Sequence, residues 1–174
     1  QFMKILIIGE NNFNSLERIY KKNFLKLNCK KIKIIPIFKP KNLFIKKILN
    51  FYEKYFYFIF CLIQNFYLNK KIEYDMNVYD IVIIFNGYHV SKKIILELKN
   101  RAKSSLINIQ TDNIFLKKNI IKTNLIFFDK IYVWSKKLEK KIVSNLKINK
   151  KKLFYLPFGY DQFLSNKQNN NLNN

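Results

Sequence analysis

DIVIIFNG, residues Asp80–Gly87, puts five apolar residues in an unbroken run and ends it on Asn-Gly. Strands with one solvated face alternate apolar and polar side chains. A short β-branched and aromatic run without alternation instead predicts a strand buried on both faces, as in a parallel sheet. Upstream KILIIG (Lys4–Gly9) and downstream LFYLPFG (Leu153–Gly159) repeat the pattern, and each of the three glycines in the chain closes one of these runs. KIKIIPIF (Lys31–Phe38), SLINIQ (Ser105–Gln110) and KIYVW (Lys130–Trp134) bring the predicted strands to six. Pro36 cannot donate to a strand ladder, which places its strand near an edge or ends it early.

Helical patterns fall between these runs. Asn14 with Glu17 has capping-box spacing ahead of an apolar face of Leu16, Ile19, Tyr20, Phe24 and Leu27. Ser91 is placed to cap a helix carrying Ile94, Ile95 and Leu98, and Ser135 one carrying Leu138, Ile142 and Leu146. Residues 114–128 read as a short helix or a loop. Strand and helix alternating at this spacing imply right-handed crossovers with helices on both faces of the sheet. The expected fold is therefore α/β: a doubly wound, Rossmann-like parallel sheet of about six strands. The length suits one such domain with a proper core.

Residues 43–69 are helical in pattern, but YFYFIFCLI (Tyr55–Ile63) is apolar all round. Bounded by Glu53-Lys54 and Gln64-Asn65, it is too short to span a bilayer. The favoured account buries it against the sheet or against a partner domain, because aromatic helices belong more often to cores than to anchors. The other account rests 43–69, with its flanking lysines, on a membrane surface as a peripheral contact. Beyond Asp161 the pattern dissolves into NKQNNNLNN (Asn166–Asn174), a polar tail.

Almost half the residues are apolar and 17% are aromatic, so the chain is globular. A formal charge of +22 invites a nucleic-acid partner, since basic surfaces release phosphate counterions. The composition argues against it. Arg18 and Arg101 are the only arginines among 33 basic residues, and arginine is the side chain that forks onto phosphates and guanine edges. The lysines are dispersed as pairs along predicted helices, as on solvated faces. Lys, Asn, Ile, Phe and Tyr, all with A/T-rich codons, crowd the sequence, which points to genome composition. Cys29 and Cys61 lack CxxC spacing and read as reduced core residues of a cytoplasmic protein, with one disulfide as the alternative. No secretory leader pattern precedes the first strand.

In open parallel sheets ligands bind at the carboxyl ends of the strands. That rim collects Gly9, Glu10, Asn11 and Asn12 from the first strand, and Asn86, Gly87, Tyr88 and His89 from the third. The fourth supplies Thr111, Asp112 and Asn113, the fifth Trp134 and Ser135, and the last Gly159, Tyr160 and Asp161. Turns also favour Gly, Asn and Asp, so the same residues suit plain strand ends. GENNFN (Gly9–Asn14) is not GxGxxG, and GxxxxGK is absent, which excludes a dinucleotide fingerprint and a P-loop. A single histidine and no Cys/His cluster argue against zinc, and there is no GxSxG elbow. A phosphorylation receiver would need an acidic pair after the first strand and an aspartate after the third; Glu10 stands alone and Asn86 takes the other place. His89 and Asp112 remain as candidate acid/base residues. The alternatives are an exposed loop histidine and a helix-capping aspartate.

FDKIYVWSKKLEKKIVSNLKINKKKLFYLPFGYDQF (Phe128–Phe163), with its LPFGYD motif (Leu156–Asp161), resembles the segment closing the N-terminal domain of GT-B glycosyltransferases. With NIQTDN (Asn108–Asn113) and KILIIGENNFNS (Lys4–Ser15), it is most similar to the spore-maturation (CgeB-type) group. The resemblance implies transfer of a sugar from a nucleotide-sugar donor to an acceptor hydroxyl without a metal. Residues 3–163 would be the acceptor-side domain, with substrate contacts from the rim residues named above, and 164–174 a linker or truncated tail. The donor would sit in a C-terminal domain that this sequence lacks, so no cofactor is expected on this domain and the piece alone is expected to be inactive. Glu10-Asn11-Asn12 depart from the glycine or tryptophan that many members carry there. A non-catalytic doubly wound binding domain, and a basic nucleic-acid or membrane-surface module, stay open as other classes.

Overall fold

A computed structural model describes residues 3–157 apart from 14, 30, 41, 76 and 116–121. The strands are β1 (Lys4–Gly9), β2 (Lys31–Pro36), β3 (Tyr79–Phe85), β4 (Ala102–Gln110), β5 (Lys130–Val133) and β6 (Leu153–Tyr155). The helices are α1 (Leu16–Lys26), α2 (Leu43–Tyr55), α3 (Tyr57–Glu73), α4 (Lys92–Arg101) and α5 (Lys136–Leu146). All strands are parallel, in the order β2-β1-β3-β4-β5-β6. The fold is the expected Rossmann-like α/β sheet.

Burial on both faces is visible within single strands. In β1, Ile5 and Ile7 pack toward α1 with Ile83, Phe85 and Ile109, while Leu6 and Ile8 join the larger core on the other face. That larger core takes Leu68 and Ile72 of α3, Ile94, Ile95 and Leu98 of α4, and Leu138 and Ile142 of α5. Each fully buried aliphatic side chain contributes roughly 1.5–3 kcal/mol, which is why an all-apolar strand is held from both sides. Helices cover both faces unevenly: among the described residues only α1 packs on its side.

Several local expectations hold. The second strand is an edge and stops at Pro36. Ser91 Oγ accepts from Ile94 N–H and Ser135 Oγ from Leu138 N–H, both at 3.4 Å. Residues 122–127 form a 3₁₀ turn, within the stretch expected to be a short helix or loop. Among the described residues no helix is long and apolar enough to cross a membrane.

Other expectations are corrected. Asn14 lies outside the described residues, and Ser15 occupies the cap position of α1 without a side-chain cap bond. The Glu17 carboxylate accepts from the Glu10 N–H in the preceding turn, and its pairing with Asn14 lies outside the described residues. The helical stretch 43–69 is two helices, broken at Phe56 where φ is −130° and ψ is 55°. Burial of the aromatic run against the sheet fails for most of its residues. Phe60 and Cys61 are buried, whereas Tyr55, Phe56, Phe58, Ile59 and Leu62 are exposed. The fourth strand begins earlier than Ser105, since α4 runs straight into Ala102. The last strand stops at Tyr155, and its glycine tip lies outside the described residues together with the polar tail.

Candidate functional site

The chain leaves β1 for the edge strand β2, crosses back to β3, and continues outward on the other side. The change of direction falls between β1 and β3, where adjacent loops splay apart. A cleft of about 600 Å³ opens at that point. Its floor is built from Glu10 and Asn12 after β1 and from Asn86, Gly87, Tyr88 and His89 after β3, with Asp112 after β4 at one side. Lys46, Leu49, Asn50 and Glu53 of α2 and Phe60 and Gln64 of α3 wall it.

The turn after β1 is set by Gly9 and Glu17. Glu10 N–H donates to Glu17 Oε1 at 2.7 Å, and Glu17 is only 4% exposed. A Cβ on Gly9 would stand 2.2 Å from that same oxygen, so glycine makes room for the carboxylate. Burial pushes the Glu17 carboxyl above its ordinary range, partly offset by hydrogen bonds from the Glu17 and Glu10 backbone. In phosphate-binding sheets of this class the first turn leaves backbone N–H groups open to an anion. Here the Glu17 carboxyl takes that place from within the chain. Glu10 itself pairs with Lys39 at 2.6 Å and accepts from Asn12 Nδ2 at 3.1 Å.

The turn after β3 is left-handed at two successive residues, Asn86 (φ 56°) and Gly87 (φ 71°). The tip of β4 holds it there. Asn86 N–H donates to the Ile109 carbonyl at 2.8 Å, and Thr111 N–H donates to Asn86 Oδ1 at 2.8 Å. The buried amides of Asn108 and Gln110 both donate to the Asn86 carbonyl, at 3.3 and 2.9 Å. Gln110 Oε1, also buried, has no partner among the described residues.

From the other side α3 fixes the loop. Asn65 Nδ2 donates to the His89 carbonyl at 2.8 Å, and Ser91 N–H donates to Asn65 Oδ1 at 2.7 Å. Gln64, 1% exposed, grips both the N–H and the carbonyl of Phe38 at 3.0 and 2.9 Å, which ties down the loop after β2. The His89 ring meets Phe60 edge-to-face at 4.8 Å between centroids, and its Nδ1 lies 3.1 Å from Tyr57 Oη. Tyr57 Oη also lies 3.3 Å from the Tyr88 carbonyl. A phenol has one hydrogen, so both contacts are satisfied together when His89 Nδ1–H donates to Tyr57 and Tyr57 donates to Tyr88. Whenever the ring is neutral, that arrangement leaves the lone pair on Nε2. Burial raises the Tyr57 phenol far above its ordinary range and keeps it protonated. Burial, then the Asp112 charge, does the same to Tyr88.

The structure therefore gathers Glu10, Asn12, Asn86, Gly87, Tyr88, His89 and Asp112 in one cleft. It does not bring in Asn11, whose Oδ1 accepts from Arg18 Nε at 2.8 Å. Thr111 and Trp134 line a smaller hollow beside α1. Asn113 Oδ1 accepts from Phe115 N–H at 3.1 Å, and Ser135 serves as the cap of α5. Gly159, Tyr160 and Asp161 lie outside the described residues. Sequence reasoning missed Glu17, Asn50, Glu53, Tyr57 and Gln64 as cleft or supporting residues. Of these only Gln64 carried a local signal, as a polar residue closing an apolar run. Among the described residues no group of three or more His, Cys, Asp or Glu is placed to hold a metal ion. No protein-family model matches the chain, and comparison with curated proteins returned no significant match.

Proposed function

We propose that this domain binds the acceptor of a glycosyltransferase that moves a sugar from a nucleotide-sugar donor to an acceptor hydroxyl in the cytoplasm. The observation that carries the reading is the Glu17 carboxylate on the Glu10 N–H. It fills the turn where a nucleotide phosphate would otherwise bind, and leaves the cleft to an uncharged partner. In a chain with 11 acidic residues against 33 basic ones, Glu10, Glu17, Glu53 and Asp112 face two lysines in this cleft, which disfavours polyanions there. Asn12 and Asn50 offer amides for hydroxyl groups, while Phe60 and Tyr88 offer aromatic surface for a sugar ring. His89, backed by Tyr57, is the base that takes the proton from the acceptor hydroxyl, and Asp112 orients that hydroxyl. The donor nucleotide belongs to a second domain. Two buried free thiols, Cys29 and Cys61, suit a reducing compartment.

Saturation-transfer NMR of the chain with a panel of neutral saccharides and with uridine diphosphate tests the reading. Saccharide signals that vanish in Asn50→Trp, and no nucleotide signal, are expected. Nucleotide binding that depends on the same cleft would overturn it. A non-catalytic ligand-binding domain is the second reading, favoured by the tightness with which Gln64, Asn65 and Gln110 lock the loops. Saccharide binding combined with unchanged turnover in His89→Ala would select it.

A further inference from the structure

Helix α2 is amphipathic in the inverted sense. Its polar side chains Lys46, Asn50 and Glu53 line the cleft of the protein itself. Its apolar residues Phe44, Ile48, Phe51 and Tyr55, spaced four, three and four apart, form one stripe that is exposed along its whole length. Asn42 starts the helix firmly, its Oδ1 accepting from Phe44 N–H at 2.8 Å. After the break at Phe56 the outward face of α3 continues the pattern with Phe58, Leu62 and Phe66, while its inner face buries Phe60, Leu68 and Ile72. Phe51 packs on Tyr55 and Phe56 at 5.0 and 5.8 Å between centroids, which joins the stripe to the break between the helices. Phe44, Phe58 and Phe66 are 70–75% exposed. Soluble surfaces carry such residues singly, and a contiguous set marks a docking face.

We propose that this face docks on the surface of an anionic lipid bilayer. Charge decides between occupants. Lys47 and Lys54 lie on the same helix beside the stripe, and Lys54 Nζ sits 4.9 Å over the Tyr55 ring. A second copy of this chain would bring the same lysines face to face, on molecules of charge +22 each. Anionic headgroups instead neutralise them while the aromatic side chains enter the headgroup–acyl boundary, as interfacial helices do. Neither helix spans the bilayer; α2, of 13 residues, lies along the interface. This inference stands apart from the acceptor reading, since it uses the opposite face of α2.

Flotation of the chain on vesicles of phosphatidylcholine mixed with phosphatidylglycerol, at physiological salt, tests it. The wild type floats with mixed vesicles and not with phosphatidylcholine alone. F44S/F51S, which leaves the charge unchanged, lowers the vesicle affinity at least tenfold while circular dichroism shows the same fold. In F58W/W134F the single tryptophan shifts its emission to the blue on mixed vesicles. Wild-type protein that stays below the vesicles, serine variants that float as well as wild type, or a dimer in light scattering that F44S/F51S dissociates would each overturn it.

Discussion

Glu17 Oε1 lies 2.7 Å from the backbone nitrogen of Glu10, in the space a Cβ on Gly9 would occupy at 2.2 Å. One carboxylate thus closes the first turn from inside, and the smallest residue of the chain is required beneath it. Gly9→Ala forces the Glu17 side chain out and breaks the bond to Glu10. The substitution costs on the order of 1–2 kcal/mol, the loss of a half-buried hydrogen bond, because the displaced group is a side chain and not backbone. Glu17→Ala removes the same bond, so the double variant costs clearly less than the sum of the two. Urea denaturation of the four proteins measures this; strict additivity would show that Gly9 answers to something other than Glu17.

Glu17 and Asp75 titrate in opposite senses. Burial raises Glu17, so the folded protein holds its proton more tightly than the unfolded chain, and ionisation costs stability as pH rises through the folded value. Glu17→Gln keeps an acceptor for the Glu10 N–H and removes that cost. Its stability relative to wild type improves as pH rises above the ordinary glutamate range. Asp75 is the reverse. Burial alone would raise it, but hydrogen bonds from Tyr79, Lys33 and Asn77 together hold it down at about 2. Its contribution is present above the ordinary aspartate range and is lost as pH falls from about 4 to about 2. Asp75→Asn therefore costs about 2 kcal/mol at neutral pH and progressively less in acid. Chemical denaturation across pH 2–7 reads both, and parallel curves for all three proteins would contradict the two assignments.

Asn86 and Gly87 hold consecutive left-handed conformations at the tip of β3. Gly87→Ala meets Ile84 Cγ2 at 3.1 Å and places an alanine at φ 71°, for a cost of about 1–2 kcal/mol. Asn86→Ala adds the loss of the clasp with Thr111 and costs about 2 kcal/mol. Both variants leave the remote α2–α3 face intact, so vesicle flotation stays at the wild-type level while saccharide binding weakens. Loss of both together would mean that the variants unfold the domain as a whole.

How much of this was legible before any coordinates follows from the range over which each residue acts. KILIIG and DIVIIFNG declare themselves because burial on two faces leaves a local signature, and Pro36 marks an edge strand through its missing N–H. The rim residues of the first and third strands were legible for the same reason, since topology alone brings Glu10 and His89 to one end of the sheet. Gln64 was not. Its partner Phe38 stands 26 residues away, and only the packing of α3 reveals that a polar residue after an apolar run is a clamp and not a boundary. The aromatic run misled because composition says how apolar a helix is, and not which side its neighbours occupy. Asn108 and Gln110 sat inside an apparently ordinary strand, and their role exists only through the unusual Asn86 carbonyl they hold.

Tyr57 Oη stands between His89 Nδ1 and the Tyr88 carbonyl, at 3.1 and 3.3 Å, and satisfies both when Nδ1 carries the ring hydrogen. It touches no substrate in this scheme and acts as a positioning residue. With His89 as the proposed base, Tyr57→Phe lets the ring hydrogen move from Nδ1 to Nε2, which removes the Nε2 lone pair in part of the population. Measured as turnover of the proposed sugar transfer, kcat falls roughly tenfold with KM little changed, while His89→Gln lowers kcat by about 10²–10⁴, the range of a lost general base. Combining the two gives no further fall, because Tyr57 works only through His89. Unfolding midpoints recorded alongside separate this from a packing effect. A Tyr57→Phe variant with raised KM, unchanged kcat and lowered stability would assign the phenol to loop support alone, and His89 would lose the partner that makes it a base.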